Sequence, residues 1–382
     1  MVQHKYEAMA ESVYRFYRGT CHLFYEDFSK ADKIPASPVT WICGDLHLEN
    51  YGSYKGDNRV AYFDMNDFDE SVLAPCIWEL ARMLTSIFIA FENLEIEEEK
   101  AVKMAQLFLK TYAATLAKGK AISLDPRTAN GIVCTFLESA EKRKTKELLR
   151  KRTTEKKHKL SLSLDHEKHF ELEKALKKEL GHIINDWIKT SNDGPYNFEV
   201  IDSVFRLAGT GSVGVKRYLF LLKSLNTKGK YLLLDMKQAT KSSLKPYVTV
   251  KQPVWNTEAD RVIKVQQRMQ NVLPALLGTI VFRKDSYVLQ EMQPAEDTIN
   301  FELIKDRYRD IYQVIDDMAL LAASCQLRSS GRQGSAIADQ LIAFGENDRW
   351  HESVLNYSKK YAGQVKADYK EYMVAYKAGK FK

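Results

Sequence analysis

Between residues 5 and 28, Met9, Val13, Phe16, Tyr17 and Phe24 recur at helical spacing. This predicts one helix, or two short ones broken near Gly19. Pro35 and Pro38 punctuate a loop, and Val39 to Cys43 reads as a short buried strand. A polar segment follows, and the turn signal Lys55-Gly56-Asp57-Asn58 separates it from a strand over Arg59 to Phe63. From Ile77 the period changes: Ile77, Leu80, Leu84, Ile87, Phe88 and Phe91 recur at three and four, as in an amphipathic helix. A second helix covers about 95–118, with glutamates at its start, lysine near its end and Gly119 behind it, an order that suits the helix dipole. Further helix is predicted at about 128–152 and 165–190. Helical character stops at Asn192-Asp193-Gly194-Pro195. Residues 198–250 read as a twisted antiparallel sheet, followed by a helix over about 257–271 and a strand–turn–strand unit in LGTIVFRKDSYVLQEM. From Phe301 the chain is helical again, with a break at Arg328 to Gly334 and a final helix through Tyr361. The expected fold class is therefore α+β. A helical lobe occupies 1–195, a sheet lobe 196–296, and the helices of 297–382 complete the first lobe.

Composition narrows the class. The 382 residues can hold more than one core. Hydrophobic and charged contents of 45% and 28% are ordinary for a globular protein. A net charge of +7 suits anionic ligands such as nucleotides. The five cysteines are scattered without a C-x-x-C pair, which argues against a zinc knuckle or a disulfide framework and fits a reducing cytoplasm. No run approaches the ~18 apolar residues of a membrane span, so no membrane association is expected. Residues 141–159 hold ten Lys or Arg against three Glu. Such a run is usually a solvated face, and with no interleaved aromatic to stack on bases it argues against a nucleic-acid partner.

The candidate chemistry lies in CGDLHLENYGSYKGDNRVAYFDMNDFDE, residues 43–70. Asp45, Glu49, Asp64, Asp67, Asp69 and Glu70 bracket an apolar strand, where carboxylates are costly to bury without a cation. A polar loop and hairpin is the plain alternative. Downstream, Gly209, Gly211 and Gly214 form G-x-G-x-x-G, with Ser212 inside the loop. A dinucleotide-binding turn would lead into a helix, whereas here the next residues, Val215 to Leu225, are strand-like. Strand–glycine loop–strand is the arrangement of a kinase-type flap over phosphates. Lys237 follows in the apolar strand YLLLDMKQA and becomes the candidate phosphate cation, with Glu258 as the nearby acidic partner; a solvent-facing edge lysine is the alternative. The Asp45-x-x-x-x-Asn50 spacing then matches a kinase catalytic loop. Asp45 would accept the substrate proton, and Asn50 and Asp64 would ligate Mg2+, which takes few protein oxygens alongside phosphate. His47 has no second ligand at zinc spacing and reads as a loop-stabilising hydrogen bonder.

GDLHLEN resembles the G-D-x-H-x-x-N loop of aminoglycoside phosphotransferases and related small-molecule kinases. FDMNDFDE resembles their metal-binding segment, and Pro75 with Trp78-Glu79-Leu80-Ala81 resembles the P-x-x-D-L-A that follows it. Over nearly the whole chain the sequence is similar to an uncharacterised bacterial family, a domain of unknown function grouped with the kinase-like superfamily. FYRGT (16–20), the AGTGSVGVKRY loop, RVIKVQQRMQ (261–270), YVLQEMQP (287–294), LRSSGRQGSA (327–336) and NYSKKYAGQVKADY (356–369) carry that similarity. Two positions depart: Cys43 stands where the phosphotransferases have His, and Lys264 where the family often shows Glu. The catalytic motifs also precede the glycine loop and lysine, the reverse of kinase order. The resemblance therefore implies a circularly permuted, two-lobe kinase-like fold with YVLQEMQP as hinge strand, whose backbone from Gln290 to Met292 would meet adenine. It implies an ATP- and Mg2+-dependent phosphotransferase acting on an unidentified hydroxyl. A nucleotide-binding pseudokinase and a nucleotidyltransferase are the alternatives.

Overall fold

Ser12 interrupts the first helical run before Gly19 does. Its backbone is extended and its hydroxyl accepts the Arg15 N–H at 3.1 Å, so α1 (Val2–Ala10) ends and α2 (Val13–Gly19) starts afresh. With α3 (Cys21–Ser29) beyond Thr20, the computed structural model has three helices where one or two were expected. It describes residues 2–156, 159–165, 168–191, 194–207, 214–294 and 297–381.

Four short strands follow. β1 (Val39–Ile42) pairs with β4 (Val72–Pro75), and between them β2 (Tyr51–Lys55) and β3 (Ala61–Met65) form a hairpin. β3 starts and ends two residues later than its pattern suggests, so Asp64 lies inside the strand, opposite Gly52. α4 (Cys76–Asn93) is the central helix and is buried on almost every side. α5 (Glu98–Lys118) closes at Gly119, whose φ of 62° is left-handed.

The helix expected at 128–152 is two, α6 (Gly131–Lys142) and α7 (Thr145–Arg152). The chain then turns into the hairpin β5 (Thr153–Lys156) and β6 (Lys159–Leu162) and the short β7 (His169–Phe170); α8 (Lys174–Thr190) starts only after these. The basic run of 141–159 thus spans two helices and a hairpin. Of its described cations, Lys142, Lys144, Lys146, Arg150, Lys151 and Lys159 are exposed, while Leu148 and Leu149 pack against a sheet.

That sheet is built from β8 (Phe198–Arg206), β9 (Arg217–Ser224), β10 (Tyr231–Ala239), β11 (Gly278–Phe282) and β12 (Asp285–Glu291), in the order β11-β12-β10-β9-β8-β7, with every pair antiparallel. α9 (Glu258–Met269) leads from β10 toward β11. Alternation explains the unbroken run of large residues in β9. Phe220 and Leu222 pack with Leu180, Ile184 and Trp187 of α8, whereas Leu219 and Leu221 pack with Leu162 and Met292 on the other face. α8 therefore packs with the sheet, although its sequence falls in the segment assigned to the helical lobe.

α10 (Tyr308–Arg328), α11 (Ala338–Gly345) and α12 (His351–Lys377) complete the main helical core with α4 and α5. α12 continues past the predicted end at Tyr361. No described helix is long and apolar enough to cross a membrane.

Candidate functional site

The segment after β1 is held by three buried anchors. Gly44 has φ +87°, and a Cβ there would meet the Glu70 carbonyl at 2.2 Å, so only glycine lets the two ends of the acidic segment approach. Glu79 of α4, fully buried, accepts the Cys43 N–H (2.6 Å) and the Gly44 N–H (3.4 Å), while its other oxygen takes Gln326 Nε2 (3.0 Å). Burial pushes its carboxyl up despite these donors. Asn50 is the third anchor. Its Nδ2 donates to the Asp45 carbonyl (2.9 Å) and the Asp67 carbonyl (3.2 Å), and its Oδ1 accepts the Asp67 N–H (2.9 Å). His47 caps the single 3-10 turn Leu48–Asn50, and burial with the Arg18 and Arg82 charges keeps its imidazole neutral.

These anchors set a cleft of about 380 Å3 beneath the sheet. Asp45 lines it. Arg82, with no exposed surface, donates Nε to Asp45 Oδ1 at 2.7 Å, and its Nη2 meets the same oxygen. The guanidinium is stacked on the Tyr17 ring at 4.3 Å. Oδ2 of Asp45 has no partner among the described residues, and the side chain is 23% exposed. On the opposite wall, Lys237 Nζ reaches Asp69 Oδ2 at 2.5 Å and Asp67 Oδ2 at 3.5 Å. Burial would lower this ammonium, but the charges of Asp67 and Asp69 outweigh it and raise it.

Arg261 of α9, itself buried, fixes the acidic loop to the sheet lobe. It donates to the carbonyls of Asp69 (2.8 Å), Ser71 (2.7 Å) and Thr240 (2.9 Å). Beside Lys237 lies a triad around a buried carboxylate: Asp235 takes Arg206 Nη1 at 2.6 Å and Arg217 Nη2 at 2.7 Å. Burial alone would raise Asp235, but the two guanidiniums hold it down at about 2. Arg217 stands directly across from Lys237 in the strand register, and both line the cleft.

The sequence-derived residues separate accordingly. Asp45, Lys237 and Gln290 share this cleft. Asn50 and Asp64 do not line it. Asn50 is consumed by backbone stitching. Asp64, 4% exposed, accepts the Met65 N–H (2.9 Å) and faces Cys325 and Arg328, each at 3.4 Å. Metal ligation by these two in the cleft does not fit their placement. Glu258 pairs with Arg261 at 2.7 Å, not with Lys237, whose partners come from the acidic loop. The hinge donors are engaged within the protein: Glu291 N–H bonds to the Ala275 carbonyl (3.0 Å) and Met292 N–H to the Leu233 carbonyl (2.8 Å). Gly209, Gly211 and Ser212 lie outside the described residues. Gly214 is described, with φ +113° and open space where a Cβ would sit. The pattern gave no role to Arg82, Arg206 or Arg217, and counted Asp67 and Asp69 only among the carboxylates around the strand.

The family model described as an uncharacterized protein conserved in bacteria (DUF2252) matches residues 1–375. The chain belongs to this family. The match takes in the acidic loop, the sheet and the helices behind them. No curated protein and no solved structure matches the chain.

Proposed function

We propose that the protein is an ATP- and Mg2+-dependent phosphotransferase of permuted kinase-like fold, acting on a hydroxyl acceptor. The observation that carries this reading is the convergence on one cleft of a tethered aspartate, Asp45, and a buried lysine, Lys237, with two loop carboxylates at the lysine. These groups come from chain segments that have nothing else in common, and a buried lysine with acidic partners in a cleft is a recurrent functional arrangement.

The residues present fit a magnesium ion. Among the described residues no three His, Cys, Asp or Glu side chains form a cage of their own. Magnesium does not require one, because one or two carboxylates suffice when phosphate oxygens and water complete the shell. Asp67 and Asp69 are the carboxylates placed to hold it, in place of Asn50 and Asp64. When bound, the ion would neutralise charge on the phosphate oxygens. Lys237 and Arg217, neighbours across the strands, would present two adjacent cations to the same phosphates. Arg82 fixes Asp45 by Oδ1, leaving Oδ2 to take the acceptor hydroxyl proton while the hydroxyl oxygen bonds to the γ-phosphorus and ADP leaves.

The test is the thermal shift produced by ATP with Mg2+ in wild type, Lys237→Met, Asp67→Asn and Asp64→Ala, each against its own ligand-free form. A ligand at a hundred times its Kd stabilises by ~2.7 kcal/mol. The wild type and Asp64→Ala should shift, while Lys237→Met and Asp67→Asn should not. Equal shifts in all four, or none in the wild type, would sink the proposal. ATP labelled at the γ- or α-phosphate separates phosphoryl from nucleotidyl transfer, and binding without release of either label identifies a pseudokinase.

A further inference from the structure

Helix α9 has two polar faces with different tasks. Val262 and Gln266 line the cleft. Lys264 and Arg268, one turn apart, lie on the other side of the helix. Lys264 Nζ stands 5.9 Å from the Trp255 ring, and the Arg268 guanidinium 5.1 Å from the same ring and 4.7 Å from Trp41. The loop of LRSSGRQGSA closes this face from the far side. Its Arg332 carbonyl takes the Trp41 indole N–H at 2.9 Å, and Gln333 accepts a hydrogen bond from Arg268.

Among the described residues, Lys264, Arg268 and Arg332 make no ion pair. Asp260, one turn before Lys264, is not within ion-pair distance, and Glu258 is taken by Arg261. Burial and the Arg332 charge push the Arg268 guanidinium down. Its Nη1 is buried and has no hydrogen-bond partner among the described residues. A buried donor without an acceptor is an unmet hydrogen-bonding demand. The loop adds a second, independent feature. Gly331 (φ 69°), Gln333 (φ 48°) and Gly334 (φ 95°) are left-handed, and the N–H groups of residues 332–334 bond to no described residue. Successive free amides in such a turn form a concavity suited to an anion.

We propose that Lys264, Arg268, Arg332 and the 331–334 turn form a second anion-binding site, on the outer face of α9, that takes a phosphoryl group. Planar guanidinium forks and a row of amides match a tetrahedral oxyanion with several acceptor oxygens better than a single carboxylate. The site is separate from the cleft, and the proposal stands whether or not the cleft transfers phosphate.

Inorganic phosphate is the probe, and the flanking tryptophans are the reporter. The full-length chain is titrated with sodium phosphate at constant ionic strength set by chloride, following intrinsic fluorescence. The expected result is a saturable change that shrinks in Trp255→Phe, where Trp41 still reports, and persists in Lys237→Met, whose cleft cation is gone. Arg332 is exposed, so Arg332→Glu leaves the core intact and should weaken phosphate at least ~tenfold, equivalent to ~1.4 kcal/mol; Arg332→Gln should give a smaller loss. Loss of the response in Lys237→Met would place the phosphate in the cleft and overturn the proposal. So would wild-type affinity in both Arg332 variants, no saturable response at all, or an equal response to acetate.

Discussion

Replacing Asp45 by Asn should destabilise the fold, quite apart from any effect on chemistry. Arg82 has no exposed surface, and Asp45 is its one ion-pair partner among the described residues. Among the described residues its Nη1 already lacks a hydrogen bond, and Nη2 finds only the Tyr17 carbonyl at 3.3 Å besides Asp45. Asp45→Asn therefore leaves a buried, uncompensated guanidinium, a change that costs about 3–5 kcal/mol. Against a typical total of about 5–15 kcal/mol that is a large fraction. Arg82→Met should cost less, about 1–3 kcal/mol, because Asp45 is 23% exposed and keeps water while methionine still packs on Tyr17 and Phe24. In the double variant the charge is gone, so stability should recover to within about 1–2 kcal/mol of the wild type. Urea unfolding of the four proteins by far-UV circular dichroism measures the cycle, with a coupling of at least about 2 kcal/mol expected. An Asp45→Asn cost under about 1 kcal/mol, or strictly additive costs, would show that Arg82 finds another counter-charge and would refute this account. If the cycle behaves as expected, inactivity of Asp45→Asn alone says nothing about a catalytic base, which is why Asp67 carries the functional test.

Other expectations follow from single contacts. Gly44→Ala should cost more than about 2 kcal/mol in a thermal melt, since it adds a Cβ 2.2 Å from the Glu70 carbonyl to a left-handed backbone. Asp317 is raised to about 7 by burial and by the neighbouring Asp316, and its Oδ2 is unpartnered. Its folded value lies above the unfolded one, so its stabilising contribution is complete below about pH 4 and is lost as pH rises through about 7. Urea titrations across that window should show a decline on the order of 4 kcal/mol that Asp317→Asn removes. Asp235→Asn should cost several kcal/mol, because Arg206 and Arg217 lose their shared carboxylate; Arg206→Met in the same chain should recover part of it.

The elements legible in the sequence were those whose period was long and whose ends carried a chemical signal. α4, α5, α9 and the strands β8 to β12 are of this kind. The misplacements came where a local cue competed with a weaker period. Ser12 capped a helix inside an apparently continuous helical run. Thr153 and Thr154 diverted a charged helix into a hairpin, as β-branched residues favour. The helix α8 was visible, but not the surface it covers. Its apolar residues fit either lobe, and only the sheet's Leu- and Phe-rich strands, buried on both faces, demanded a helix there.

For the site, residue type was legible and orientation was not. Asp45 and Lys237 stand out because a charged residue in an apolar strand or behind a glycine turn needs a reason. Arg82 was hidden among the helical residues of α4, where nothing local separates a buried arginine from an exposed one. Asp64 drew attention for the right physical cause, a carboxylate in an apolar strand, but its compensating group is Arg328 of α10, far along the chain. A strand covered on both faces turns its carboxylate into a core contact, 4% exposed. Two residues beyond the strand's end the backbone has left the hairpin, and Asp67 and Asp69 keep exposures of 48% and 31% beside Lys237. A carboxylate that must meet phosphate or a cation has to retain that access. In this segment access is set by where β3 stops, a boundary two residues from where hydrophobic alternation alone would put it.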